Sequence, residues 1–240
     1  MECLQKSILL LAVFSLLASC STPKTYTNKT PEWNKQYIQY SFPEAYSNGP
    51  KYIGKNNRKP SETKFLKQMS YSEYKAVRTD NDEFKLVDRE VRGQIPNPSE
   101  VIEKLNEDTN NNLDVDGPLV VLFQHSNDGC FDTAFEDTYW SSSHFETFEE
   151  NILEIGNTKP IYLYKNEFNT ERFEDIIEWE KDPKGLMEKL FFPYHAACGS
   201  FAVMETKGEY YIFHGEYAKD QIEEALMEIM KRETNLNSPK

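Results

Sequence analysis

Beyond residue 70 the apolar positions recur at spacings that define elements. Glu73 to Arg78 and Phe84 to Val91 read as two strands. Thr79-Asp80-Asn81-Asp82 between them is a turn, giving an N-terminal hairpin within 71–94. Ser99 is the expected N-cap of a helix from Glu100 to Glu107, with Val101, Ile102 and Leu105 on one face. Leu119 to Phe123 is a continuous apolar run, the signature of a buried strand. A helix starting near Cys130 or Asp132 and running to Ile155 would bury Phe131, Phe135, Tyr139, Phe145, Phe148 and Ile152, with a break around Ser141 to Ser143. A strand is expected over 159–164, a helix from Asn169 to about Trp179, and another over 184–191 opened by Pro183. Strands at 200–205 and 209–214 flank Thr206-Lys207-Gly208, a hairpin signal. The last helix, Lys219 to about Lys231, carries Ile222, Ala225, Leu226, Ile229 and Met230 as one stripe. Residues 21–70 show no such period. They read as a largely irregular extension punctuated by Trp33, Tyr37, Tyr40, Phe42, Tyr46 and Tyr52.

The first 20 residues obey a different rule. Lys6 precedes an apolar run from Ile8 to Leu17, too short to span a bilayer and placed as in a secretory signal. Leu17-Ala18-Ser19-Cys20 resembles the lipobox of bacterial lipoproteins. The resemblance implies cleavage before Cys20 and acylation of its sulfur and new amino group. Residues 1–19 would then be a signal peptide, 20–70 a tether and 71–236 the folded domain, with 221 residues left after processing. Ser21, rather than Asp, after the cysteine favours the outer membrane facing the periplasm. The expected partner is therefore a membrane, reached through the acyl anchor.

Charge sharpens this division. The chain carries a net charge of −13. Residues 21–78 hold 11 Lys and Arg against 4 Asp and Glu, whereas residues 79–240 hold 15 against 35. The basic stretch is either a solvated tether or a surface for anionic lipid head groups. The acidic body argues against nucleic acid as a partner.

From Val101 on, the order helix, strand, helix, strand, helix, strand, strand, helix resembles the thioredoxin-like three-layer fold. Three stretches carry the resemblance: Leu119–Phe123 with the turn and Cys130 after it, the hairpin from Cys198 to Glu209, and Gly215 to Leu226 as bend and last helix. The departures bear on function. That family's redox site is Cys-x-x-Cys, but this chain has Asn127-Asp128-Gly129-Cys130 there. The family's cis-proline position is held by Gly199, next to Cys198. The resemblance brings Cys130 and Cys198 close in space. Three readings stay open: a structural disulfide, a redox pair with Cys130 and Cys198 as catalytic sulfurs, or metal binding by His125, Cys130, His195 and Cys198.

No glycine-rich phosphate loop is present, His144 has no triad context, and no cofactor is implied. The acidic runs Glu146–Glu150 and Glu171–Glu180 read as solvated helix faces. The expectation is an envelope lipoprotein whose degenerate thioredoxin-like domain is a binding or structural module, with another envelope protein as a possible partner. The alternative is a divergent thiol–disulfide oxidoreductase.

Overall fold

The computed structural model describes residues 30–125, 142–166 and 177–236. The expected signal peptide, Cys20, Cys130 with the expected start of its helix, and most of the helix expected from Asn169 lie outside the described residues. Among those described, seven helices pack with two mixed sheets.

The larger sheet holds six strands. They are β4 (Glu90–Gln94), β5 (Leu119–Gln124), β6 (Pro160–Tyr164), β7 (Trp179–Lys181), β8 (Ser200–Met204) and β9 (Glu209–His214), in the order β4-β9-β8-β5-β6-β7. β5, β6 and β7 run parallel, and β8 is antiparallel to both β5 and β9. All six residues of β5 are buried, so its apolar run serves both faces. Val120 and Leu122 point to one face. There they meet Phe145, Phe148 and Ile152 of helix α5 (Ser142–Gly156) and Ile222, Leu226 and Ile229 of helix α7 (Lys219–Leu236). Leu119, Val121 and Phe123 point to the other. They meet Ile102 and Leu105 of helix α4 (Pro98–Asp108), Met187 of helix α6 (Leu186–Leu190), and Phe191 and Phe192. The two-residue period of a strand thus builds two cores on either side of one sheet.

The smaller sheet joins β1 (Lys51–Ile53), β2 (Tyr74–Arg78) and β3 (Glu83–Asp88) in the order β1-β3-β2. β2 and β3 form the expected antiparallel hairpin. β1 adds in parallel to β3. The extension is not largely irregular. It folds into helices α1 (Pro31–Ser41), α2 (Pro43–Ser47) and α3 (Glu62–Gln68). Thr30 caps α1 by accepting from the Trp33 amide, and Ser61 caps α3 by accepting from the Lys64 amide. Ile38, Phe42, Ala45, Phe65 and Leu66 bury against Ala76, Phe84 and Leu86 of the sheet. These helices are short, with few apolar residues each. Tertiary contact rather than periodicity stabilises them.

Other boundaries also differ from expectation. The run Phe84–Val91 is two strands, because Arg89 passes the chain from one sheet to the other. Its amide donates to Glu73 beside β2, and its carbonyl accepts from His214 of β9. Asn97, not Ser99, occupies the N-cap of α4, since Pro98 with its fixed φ takes the first helical position. Trp179 opens β7 instead of ending a helix. Pro183 begins a single 3-10 turn, and α6 comes only from Leu186, where the Asp182 carboxylate accepts from the Met187 and Glu188 amides.

Candidate functional site

The singled-out histidines meet where β5 and β6 end. Pairing of these strands continues past their last residues, with Lys165 N donating to Gln124 O and Asn166 N to His125 O. His125 is therefore held at the lip of the sheet yet is 3% exposed. Its Nε2 lies 3.0 Å from the Phe192 carbonyl, which only accepts, so Nε2 carries the proton. Nδ1 is left as an acceptor with no hydrogen-bond partner among the described residues. Burial, helped by the neighbouring His195, pushes the imidazole well below its ordinary pKa, and the ring is neutral at pH 7.

His195 stacks on His125, ring centroids 5.0 Å apart and planes 15° from parallel, while Phe42 meets the His195 ring edge-on. The backbone holds His195 there through a two-bond bridge to Arg78, the last residue of β2. This bridge ties the small sheet to the loop entering β8. Between them opens a cavity of about 160 Å³, lined among others by Arg78, Asp80, His125, Lys165, Asn166 and His195. Its cations are already paired. Lys165 lies 2.6 Å from Glu188 and 3.6 Å from Asp80, and Arg78 Nε donates to Asp82 at 2.8 Å. Mixed charge with two imidazoles suits a small neutral or zwitterionic polar group better than a bare anion.

The loop carrying His195 leads to Cys198, which is disulfide-bonded. The chain's other cysteines, Cys3, Cys20 and Cys130, lie outside the described residues. Cys198 and Gly199 both adopt left-handed backbone, with φ of +68° and +81°. Gly199 is needed there, since a Cβ would lie 2.9 Å from Gln124 Oε1 and 3.2 Å from the Phe123 carbonyl. No cis peptide bond occurs among the described residues.

Two residues that sequence reasoning did not select stand beside Cys198. The Tyr37 hydroxyl lies 3.8 Å from Cys198 Sγ. Lys75 Nζ donates to that hydroxyl at 2.6 Å and sits 4.4 Å from the Tyr37 ring centre. Lys75 is 4% exposed, its stem crossing Gly215, where no Cβ would fit. Burial, reinforced by the Lys75 charge, lowers the His214 pKa to about 4. Burial also lowers the Arg89 pKa, opposed by Tyr37. Lys75 had one signal in the sequence, a lysine beside Ala76-Val77 in a strand. Tyr37 had only its place among the aromatics that punctuate the extension.

The structure thus joins His125 with His195, and places Cys198 on the same loop as His195. Cys198 in its disulfide has no thiolate to offer a metal, and among the described residues no three His, Cys, Asp or Glu side chains converge as metal ligands. No protein-family model, curated protein or solved structure matches the chain.

Proposed function

We propose that this is an exported lipoprotein, acylated at Cys20 and facing the periplasm from the outer membrane. In this reading a degenerate thioredoxin-like domain serves as a binding or structural module. The inner strand order β9-β8-β5-β6, with β8 alone reversed and helices on both faces, supports the fold reading. The observation that carries the functional reading is the entrance to β8. Where the resemblance implies a cis-proline beside a free redox dithiol, Cys198 and Gly199 hold left-handed backbone and Cys198 is already bonded. Cys130 is the proposed bonding partner, closing a loop of nearly 70 residues. The cavity at the carboxyl ends of β5 and β6 lies in the crevice where α/β sheets bind ligands. The test is insulin reduction by residues 21–240. Wild type and Cys130→Ser should both stay at background, and turnover lost in the mutant would overturn the module. For the anchor, Cys20→Ser should lose the acyl mass and leave the membrane fraction; unchanged mass and fractionation would refute acylation.

A second reading, thiol–disulfide exchange, is favoured by the Lys75–Tyr37–Cys198 chain. An attacking thiolate would bond to the partner sulfur and release Cys198 as a thiolate, which a phenol polarised by a buried ammonium would stabilise. Redox titration separates the two. A bond resisting reduction below about −300 mV is a staple, and one reducing between about −120 and −270 mV belongs with exchange catalysts.

A further inference from the structure

We infer that helix α1 lies with its aromatic face in the head-group zone of the bilayer that holds the acyl anchor; this rests on the lipoprotein reading. α1 buries Asn34, Ile38 and Ser41 against the rest of the protein, and Asn34 Nδ2 donates to the Leu66 carbonyl and Ser70 Oγ. That fixes which side faces inward. Trp33 and Tyr40 lie seven residues apart, two turns on one face, and are 40% and 49% exposed. Trp33 stacks on Tyr37 at 5.4 Å, so the ring is held in place rather than free to fold back. Among the described residues five large apolar side chains are exposed; both aromatics among them are on α1, while Val115, Leu153 and Leu190 are scattered elsewhere. Indole and phenol groups have an apolar body and a polar tip, the combination enriched where lipid meets water.

Distance and charge select the bilayer as the occupant. α1 begins 11 residues after Cys20. Eleven residues span at most roughly 40 Å. α1 is thus the described helix nearest the anchor in sequence. The charge balance orients the rest of the chain. Residues 21–78, with 11 basic and 4 acidic side chains, favour an anionic surface, and residues 79–240, with 15 and 35, are repelled by it. The short span from Cys20 brings α1 to the membrane, the basic part holds it there, and the acidic body faces the aqueous side.

The test uses the full acylated chain in phosphatidylethanolamine–phosphatidylglycerol vesicles containing nitroxide-labelled lipid. Mass spectrometry of the Cys20 peptide comes first, and an unacylated chain sinks the lipoprotein reading itself. With acylation in place, tryptophan emission is compared between wild type and Trp33→Phe, near-UV dichroism checking that both are folded. The expected result is lipid quenching in wild type that disappears in Trp33→Phe, with Trp33 severalfold less open to iodide on vesicles than in detergent. Equal lipid quenching in the two proteins, or a Trp33 still open to iodide on vesicles, overturns this inference and leaves the lipoprotein reading standing. The first of those results would also be expected if α1 docked a protein partner.

Discussion

The two sheets reach stability by opposite routes. The six-stranded sheet is buried on both faces, and each face has its own core. Its four inner strands, β9, β8, β5 and β6, are short runs rich in buried residues that the spacing along the chain reveals. The three-stranded sheet is covered by α1, α2 and α3, and its core is collected from single residues spread over 38–86, with Ala197 added from the loop before β8. Local pattern forms the first, and long-range assembly forms the second. They meet at the Arg78–His195 bridge, at the Cys198–Tyr37 contact and at Arg89. The candidate site lies along this seam.

The strongest test of that contrast is Phe201→Ala. Phe201 is fully buried in β8, stacked on Phe213 and edge-on to Tyr217. The cavity should cost about 3–5 kcal/mol and lower the midpoint of the whole urea transition. Ile38→Ala, fully buried in the other core, should cost about 3 kcal/mol. Its effect should be local. Amide exchange should accelerate in β1, β2 and β3, while β5 and β8 stay protected. Equal acceleration in both sheets would mean that the seam makes one cooperative unit.

Acid should loosen the seam next. His214 is neutral in the folded protein, with a pKa of about 4 against an ordinary 6.5. Below about pH 6.5 the unfolded chain takes up a proton that the folded protein refuses. The stability is therefore full above pH 6.5 and is lost as pH falls to about 4, by up to roughly 3 kcal/mol. His125, also lowered by burial, has the same sign. A thermal-denaturation series from pH 7 to pH 4 should show the decline, and His214→Asn should flatten part of it. The smallest effect belongs to Ser61→Ala. Removing that N-cap should cost about 1 kcal/mol and raise exchange in α3 alone.

Legibility in the sequence divides along the same line. β5, β6, β8, β9 and α7 were readable because each carries its own period, and Ile222, Leu226 and Ile229 are buried as their spacing requires. α1 and α3 were not, because Ile38 and Phe65 find partners only after the β2–β3 hairpin exists. Strand β7 lies beside β6 but is only three residues long, too short for a two-residue alternation to register. At the site, His125, His195 and Cys198 could be chosen by residue type next to predicted strand ends. Tyr37 could not, since it lies in a segment with no visible pattern, and Lys75, although in a predicted strand, gains its role only when Tyr37 folds against it. Arg78 and Lys165 read as ordinary surface cations until the strand ends that carry them close around the cavity.

Arg89 is the only residue between β3 and β4, and its amide and carbonyl serve different sheets. A longer connector would give slack, letting each sheet rock separately. One residue gives none. A twist applied to the small sheet passes as torque into β4 and on to β9, where His214 ends the strand beside Lys75. If the chain is loaded through its N-terminus, the pull reaches the large sheet through Arg89 and, beside it, through the Arg78–His195 bridge.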